Sequence, residues 1–162
     1  MAWTTPGTAT AGQVLTASFW NTQVRDNMVE LAPYFASWTT WTPTITQNGT
    51  RTSTVNYARY VKIGRIVHGI LNVTITQAGS AGNLIYSSIP TGTPVTVGES
   101  PVGSFTYFRS GSTRYAGTLV LFSGVYLLPQ VSGTTNALGA DPNFATANGD
   151  GFTARFQYET TS

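Results

Sequence analysis

Along residues 65–77 apolar and polar side chains alternate. Val67, Leu71, Val73 and Ile75 share one parity, and His68, Asn72, Thr74 and Thr76 share the other. A period of two places the two sets on opposite faces of a strand, so this stretch is predicted to be a half-buried strand. Phe152, Ala154, Phe156 and Tyr158 alternate in the same way with Thr153, Arg155, Gln157 and Glu159. Further strands are predicted over 41–47, 55–63, 84–89, 105–109, 114–122 and 125–130. They are punctuated by Asn48-Gly49, Gly64, Pro90, Ser110-Gly111-Ser112 and Gly124. Such residues supply the backbone angles that tight turns require. Eight or nine short strands at this spacing predict a mostly β protein, an antiparallel β-sandwich or jelly roll. Residues 131–150, rich in Gly, Asn, Thr and Ala, read as a long loop. Leu119 to Phe122 is apolar at every position. A two-layer sandwich covers only one face of such a strand. A neighbouring protomer or a third layer of the same chain must cover the other, and the chain length favours the protomer.

One stretch has a helical period instead. Thr16 is placed to cap a helix running from Ala17 to about residue 32, and Pro33 ends it. Trp20, Val24, Asn27 and Leu31 recur at spacings of four, three and four. That is the seam of a short coiled coil with an asparagine in its core, a device that fixes register and oligomer number. Met28 widens the stripe. A helix of this length is marginal alone, so its apolar face packs either on the β domain or on copies of itself. Trp3, Trp20, Trp38 and Trp41, all four tryptophans, fall in the first quarter of the chain. Ordinary core packing is one reading of this cluster; tryptophan is also enriched at interfaces, and an attachment or assembly region is the favoured one. Residues 1–40 are therefore read as an extended segment plus helix, and 41–162 as the β domain.

Composition narrows the function. Only 9% of the 162 residues are charged while 41% are hydrophobic, so the chain folds but offers little charge chemistry. A net charge of +2 without a dense basic patch argues against nucleic acid as a partner. The absence of cysteine excludes disulfides and thiolate metal sites. The first residues have no basic and apolar leader pattern, and no apolar run is long enough to span a membrane. Synthesis in a cytoplasm without membrane insertion is expected.

The search for catalytic chemistry returns little. His68 is the single histidine and lies on a polar strand face. No nucleophile elbow, phosphate-binding loop or zinc-binding histidine pair occurs. Six carboxylates are scattered, so a facing pair of the glycosidase kind is not expected, and neither an enzymatic activity nor a cofactor is predicted. Asp141, Asn143, Asn148 and Asp150 give one loop an oxygen-rich character, although their spacing fits no calcium motif and a solvated loop is the simpler reading. The segment 105–115 gathers Tyr107, Arg109, Arg114 and Tyr115 around the Ser110-Gly111-Ser112 tip. Aromatic faces and planar donors suit sugars or acidic groups, and this is the predicted ligand patch; the alternative is that the aromatics are core and the arginines solvated.

Two stretches resemble a known family. Trp3-Thr4-Thr5-Pro6, Gly12, Leu15-Thr16-Ala17, Asn21 and Val24-Arg25-Asp26-Asn27 resemble the opening segment of small tail and virion-surface proteins of tailed bacteriophages. Trp41-Thr42-Pro43-Thr44, Asn48-Gly49-Thr50, Arg59-Tyr60, Lys62-Ile63-Gly64-Arg65 and Ser88-Ile89-Pro90 resemble the β-sandwich domain of phage tail-fibre and receptor-binding proteins. The resemblance implies a homotrimer on the virion surface, joined to other virion proteins of the tail tip, baseplate or capsid. Trp3, Trp20, Val24, Asn27 and Leu31 are the expected trimerisation and attachment residues. A tail fibre or spike contacting a host cell-surface glycan is the leading expectation. A head fibre or capsid decoration protein is the second, and a bacterial carbohydrate-binding module the third.

Overall fold

A computed structural model describes residues 5, 7–8, 10–14, 16–32, 38–90, 100–111, 113–134 and 136–161. Trp3 and Ser112 lie outside the described residues. The chain divides into two compact units, Met1–Ser37 and Trp38–Ser162.

The first unit holds the helix. Thr16 sits in an extended conformation and its hydroxyl oxygen accepts the Phe19 N–H at 3.1 Å, which supplies the cap. Helix α1 (Ala17–Trp20) leads through a π-helical turn (Asn21–Arg25) into α2 (Asp26–Leu31). Within the turn the Asp26 N–H reaches back five residues to the Asn21 carbonyl. Such a turn inserts one residue into the helical repeat and rotates everything after it by about 100°.

The second unit is mostly antiparallel β. Its strands are β1 (Thr39–Thr40), β2 (Ile45–Thr46), β3 (Thr50–Arg51), β4 (Ser53–Ile63), β5 (Ile66–Ile75), β6 (Tyr86–Ser88), β7 (Ser100–Phe108), β8 (Arg114–Phe122), β9 (Tyr126–Val131) and β10 (Gly151–Glu159). They form one sheet in the order β1-β4-β5-β10-β7-β8-β9-β6-β2-β3. Two short connections force this sheet to curl. Only Thr52 separates β3, on one edge, from β4, next to the other edge. Residues 41–44 likewise carry the chain from β1 on β4 to β2 on β6. A flat ten-stranded sheet could not be bridged by links this short, because neighbouring strands lie about 4.8 Å apart.

The concave side is the core. Val67, Leu71, Val73 and Ile75 of β5 meet Phe152, Phe156 and Tyr158 of β10 there, with Tyr107, Leu119, Leu121 and Leu127 from the next three strands. Each such side chain contributes about 1.5–3 kcal/mol by leaving water. The alternation read from the sequence thus holds for β5 and β10. Asn48 and Gly49 take φ of 51° and 104°, as the turn between β2 and β3 requires.

Three expectations change. The predicted strand over 41–47 shrinks to Ile45–Thr46, because residues 41–44 cross between sheet edges and Pro43 has no N–H to donate. Among the described residues the segment between β9 and β10 is a loop, as its composition reads, but not a solvated one: Leu138 is fully buried and Phe144 is 5% exposed, both within the core. Val120, on the outer face of the doubly apolar strand, is 6% exposed within a single chain and lies beside Leu128, itself 5% exposed. That strand therefore needs no neighbouring protomer to cover it.

Candidate functional site

The helix presents the first candidate surface. A shallow apolar concavity of about 390 Å³ is lined by Trp20, Val24, Arg25, Met28, Val29 and Ala32. Trp20 and Val24 of the predicted seam are here, but Asn27 and Leu31 are replaced by Met28 and Ala32. The π-helical turn is the reason, since one inserted residue advances the stripe by one position beyond it. Asn27 is instead 4% exposed, and its amide donates to the Gln23 carbonyl at 3.2 Å. Leu31 is 39% exposed. The Gly7 N–H donates to Gln23 Oε1 at 2.5 Å, which brings the N-terminal segment onto the helix at Gln23. Trp20, Met28 and Val29 remain at least half exposed.

The predicted ligand patch around Ser110-Gly111 is built differently from the expectation. Tyr107 is fully buried, and its hydroxyl donates to Asp150 Oδ2 at 2.8 Å. Burial first, then the hydrogen bond and the charge of Asp150, hold its phenol well above the usual tyrosine range, with Arg109 opposing. Tyr115 is half-buried and stacks on Phe144 at 5.3 Å. The Arg109 guanidinium lies over the Phe144 ring, 4.7 Å from its centroid. Arg114 alone of the four is exposed, and it rests on Phe108. The four residues do not form one exposed cluster; the aromatics serve the core and Arg109 buttresses it.

Asp150 explains this construction. Its carboxylate also accepts the Ser110 N–H at 2.8 Å and the Ala147 N–H at 2.9 Å. Its oxygens are thereby engaged by the chain's own donors. Among the described residues no group of three or more His, Asp or Glu side chains is placed to hold a metal ion. Gln47 plays a similar part on the far strands: fully buried, it donates to the Asn83 and Phe144 carbonyls and accepts the Thr146 N–H.

The outer face of β4, β5, β10 and β7 presents a second surface. Strand register lines up Arg59, Ile70, Arg155, Ser104 and Thr118 in one row across it. The adjoining row is Tyr57, Asn72, Thr153, Thr106 and Ala116. Asn56 extends it, donating to Asn72 Oδ1 at 2.7 Å and Thr74 Oγ1 at 3.0 Å. On the other side Val61, His68 and Gln157 form a third row. An open groove of about 460 Å³ lies here, with Trp38, His68, Ser104, Arg155 and Gln157 among its lining. The sequence contained a signal for this surface in the polar parity of β5 and β10. It did not contain the strand order that sets those rows side by side.

Among the described residues no helix is long and apolar enough to cross a membrane. Comparison of the chain with protein-family models, with curated proteins and with solved structures finds no match.

Proposed function

We propose that the chain is a subunit of a trimeric fibre or spike on the surface of a tailed phage, with its curled sheet as the sandwich-type domain, and that it contacts the host surface. The observation that carries this reading is the bare apolar face of the helix. Trp20 is 55% exposed, Met28 64% and Val29 50%. A concave stripe of this kind is stabilised by burial against copies of itself. The helix belongs to a unit separate from the β domain, as suits an assembly element joined to a binding element. The resemblance of the segment from Trp3 to Asn27 to phage virion-surface proteins supports the same assignment. The rigid sheet with polar rows on its outer face suits contact with a host envelope.

Light scattering on the purified chain at micromolar concentration tests the assembly. A mass three times the 17.3 kDa of one chain is expected. A monomer at that concentration overturns the trimer. Fluorescent protein should also adsorb to cells of the host, and failure to adsorb removes the host-contact role.

A further inference from the structure

Among the described residues, the outer face of the sheet carries arginine charge with no free carboxylate beside it. Arg155 is exposed at the centre of its row, and its guanidinium forms neither an ion pair nor a side-chain hydrogen bond among the described residues. Arg59 is in the same row and lies over Tyr57 at 5.9 Å. Across β4, β5, β7, β8, β9 and β10 the single carboxylate is Glu159, and Arg65 already holds it at 3.1 Å. Ile70 stands between the two arginines, and the polar side chains around them are hydroxyls, amides and an imidazole: Ser104, Thr106, Thr153, Asn72, Gln157 and His68. Trp38, 43% exposed, contributes an aromatic surface to the groove that Arg155 lines.

We propose that this face binds an anionic glycan, a sugar chain bearing carboxylate or phosphate groups. Arg155 is the anion anchor, because a planar guanidinium matches the two oxygens of either group. Trp38 supplies a stacking surface for a pyranose ring, and the amides and hydroxyls meet the sugar hydroxyls. A second copy of the chain fits less well. Among the described residues the face has no free acid to offer an arginine, and burying an unpaired charge against protein is costly. Two arginines are also too sparse for a nucleic-acid backbone. The inference deepens the host-contact reading and rests on it for its biological setting.

The test uses the full chain against immobilised oligogalacturonate, ribitol-phosphate oligomers, neutral dextran and polyglutamate. One anionic glycan should bind at least tenfold more tightly than dextran and polyglutamate, and the comparison of the first two separates carboxylate from phosphate. Arg155→Gln and Trp38→Ala should each lose at least tenfold, while Arg114→Ala should not change binding. Binding by Arg155→Gln within twofold of the parent overturns the site. So does equal binding to dextran or polyglutamate, or no binding to either anionic glycan at millimolar concentration. A changed oligomeric mass in Arg155→Gln would make the face a contact between copies and also overturn it. Glycan binding that persists in a chain unable to adsorb to cells leaves this site standing and removes the fibre reading alone.

Discussion

Asp150→Asn tests whether one buried carboxylate ties the 144–151 segment to the tip of β7. The side chain is 1% exposed and accepts three hydrogen bonds, from Tyr107 Oη, Ser110 N and Ala147 N. Asparagine keeps the shape but only one acceptor oxygen. If that oxygen faces Ser110, the amide NH2 meets the Ala147 N–H, donor against donor. If it faces Ala147, the Ser110 N–H is orphaned. Either way a backbone donor loses its partner, at about 1–3 kcal/mol, and the surviving bonds lose their charge assistance, about 1 kcal/mol each. Relief of a buried charge offsets part of this. A net loss of about 2–3 kcal/mol is expected, a large share of the roughly 5–15 kcal/mol that holds a domain folded. At about 2–4 °C per kcal/mol for a chain of this size, Tm should fall by about 4–12 °C. Differential scanning calorimetry with a urea titration measures both. A variant melting at or above the parent temperature would show that desolvation of the carboxylate outweighs its hydrogen bonds, and the reasoning would be wrong.

Four further outcomes are expected. Gln47→Leu should lose about 2–4 kcal/mol by urea titration, because the Thr146 N–H and two carbonyls lose their partner; a loss under about 1 kcal/mol contradicts the pinning role. Tyr107 keeps its proton in the folded state, so above about pH 10 the unfolded chain binds fewer protons and stability falls by about 1.4 kcal/mol per pH unit, with no pH dependence from this group below that pH. Tyr107→Phe should flatten this alkaline slope between pH 9 and 11, and parallel slopes would refute it. Gly69→Ala should cost about 1–3 kcal/mol, since a Cβ there would overlap the Phe156 ring, and Phe156→Leu should recover part of the loss; an unchanged Tm counts against the packing. Met28→Asp should reduce the assembly to the 17.3 kDa chain with its far-ultraviolet spectrum intact, and an unaltered mass sinks the helix-face argument.

The sequence by itself determined the local structure of this protein. Period-two alternation in β5 and β10 specified which side chains go inward, because successive side chains of a strand point to opposite faces whatever the strand pairs with. Thr16 marked the helix start and Asn48-Gly49 a turn, since both act through their own backbone. What spans distance was decided only by tertiary structure. Leu138, Phe144 and Asp150 sit in a Gly- and Asn-rich segment whose composition reads as solvated, yet the curled sheet leaves a core space that they fill. The π-helical turn moved the seam from Asn27 and Leu31 to Met28 and Ala32, a rotation invisible to a period counted on an ideal helix. Tyr107, expected in an exposed ligand patch, lies fully buried in the core instead. Exposure depends on which strands become neighbours, and β10 joins β5 to β7 across long stretches of chain that local patterning does not connect.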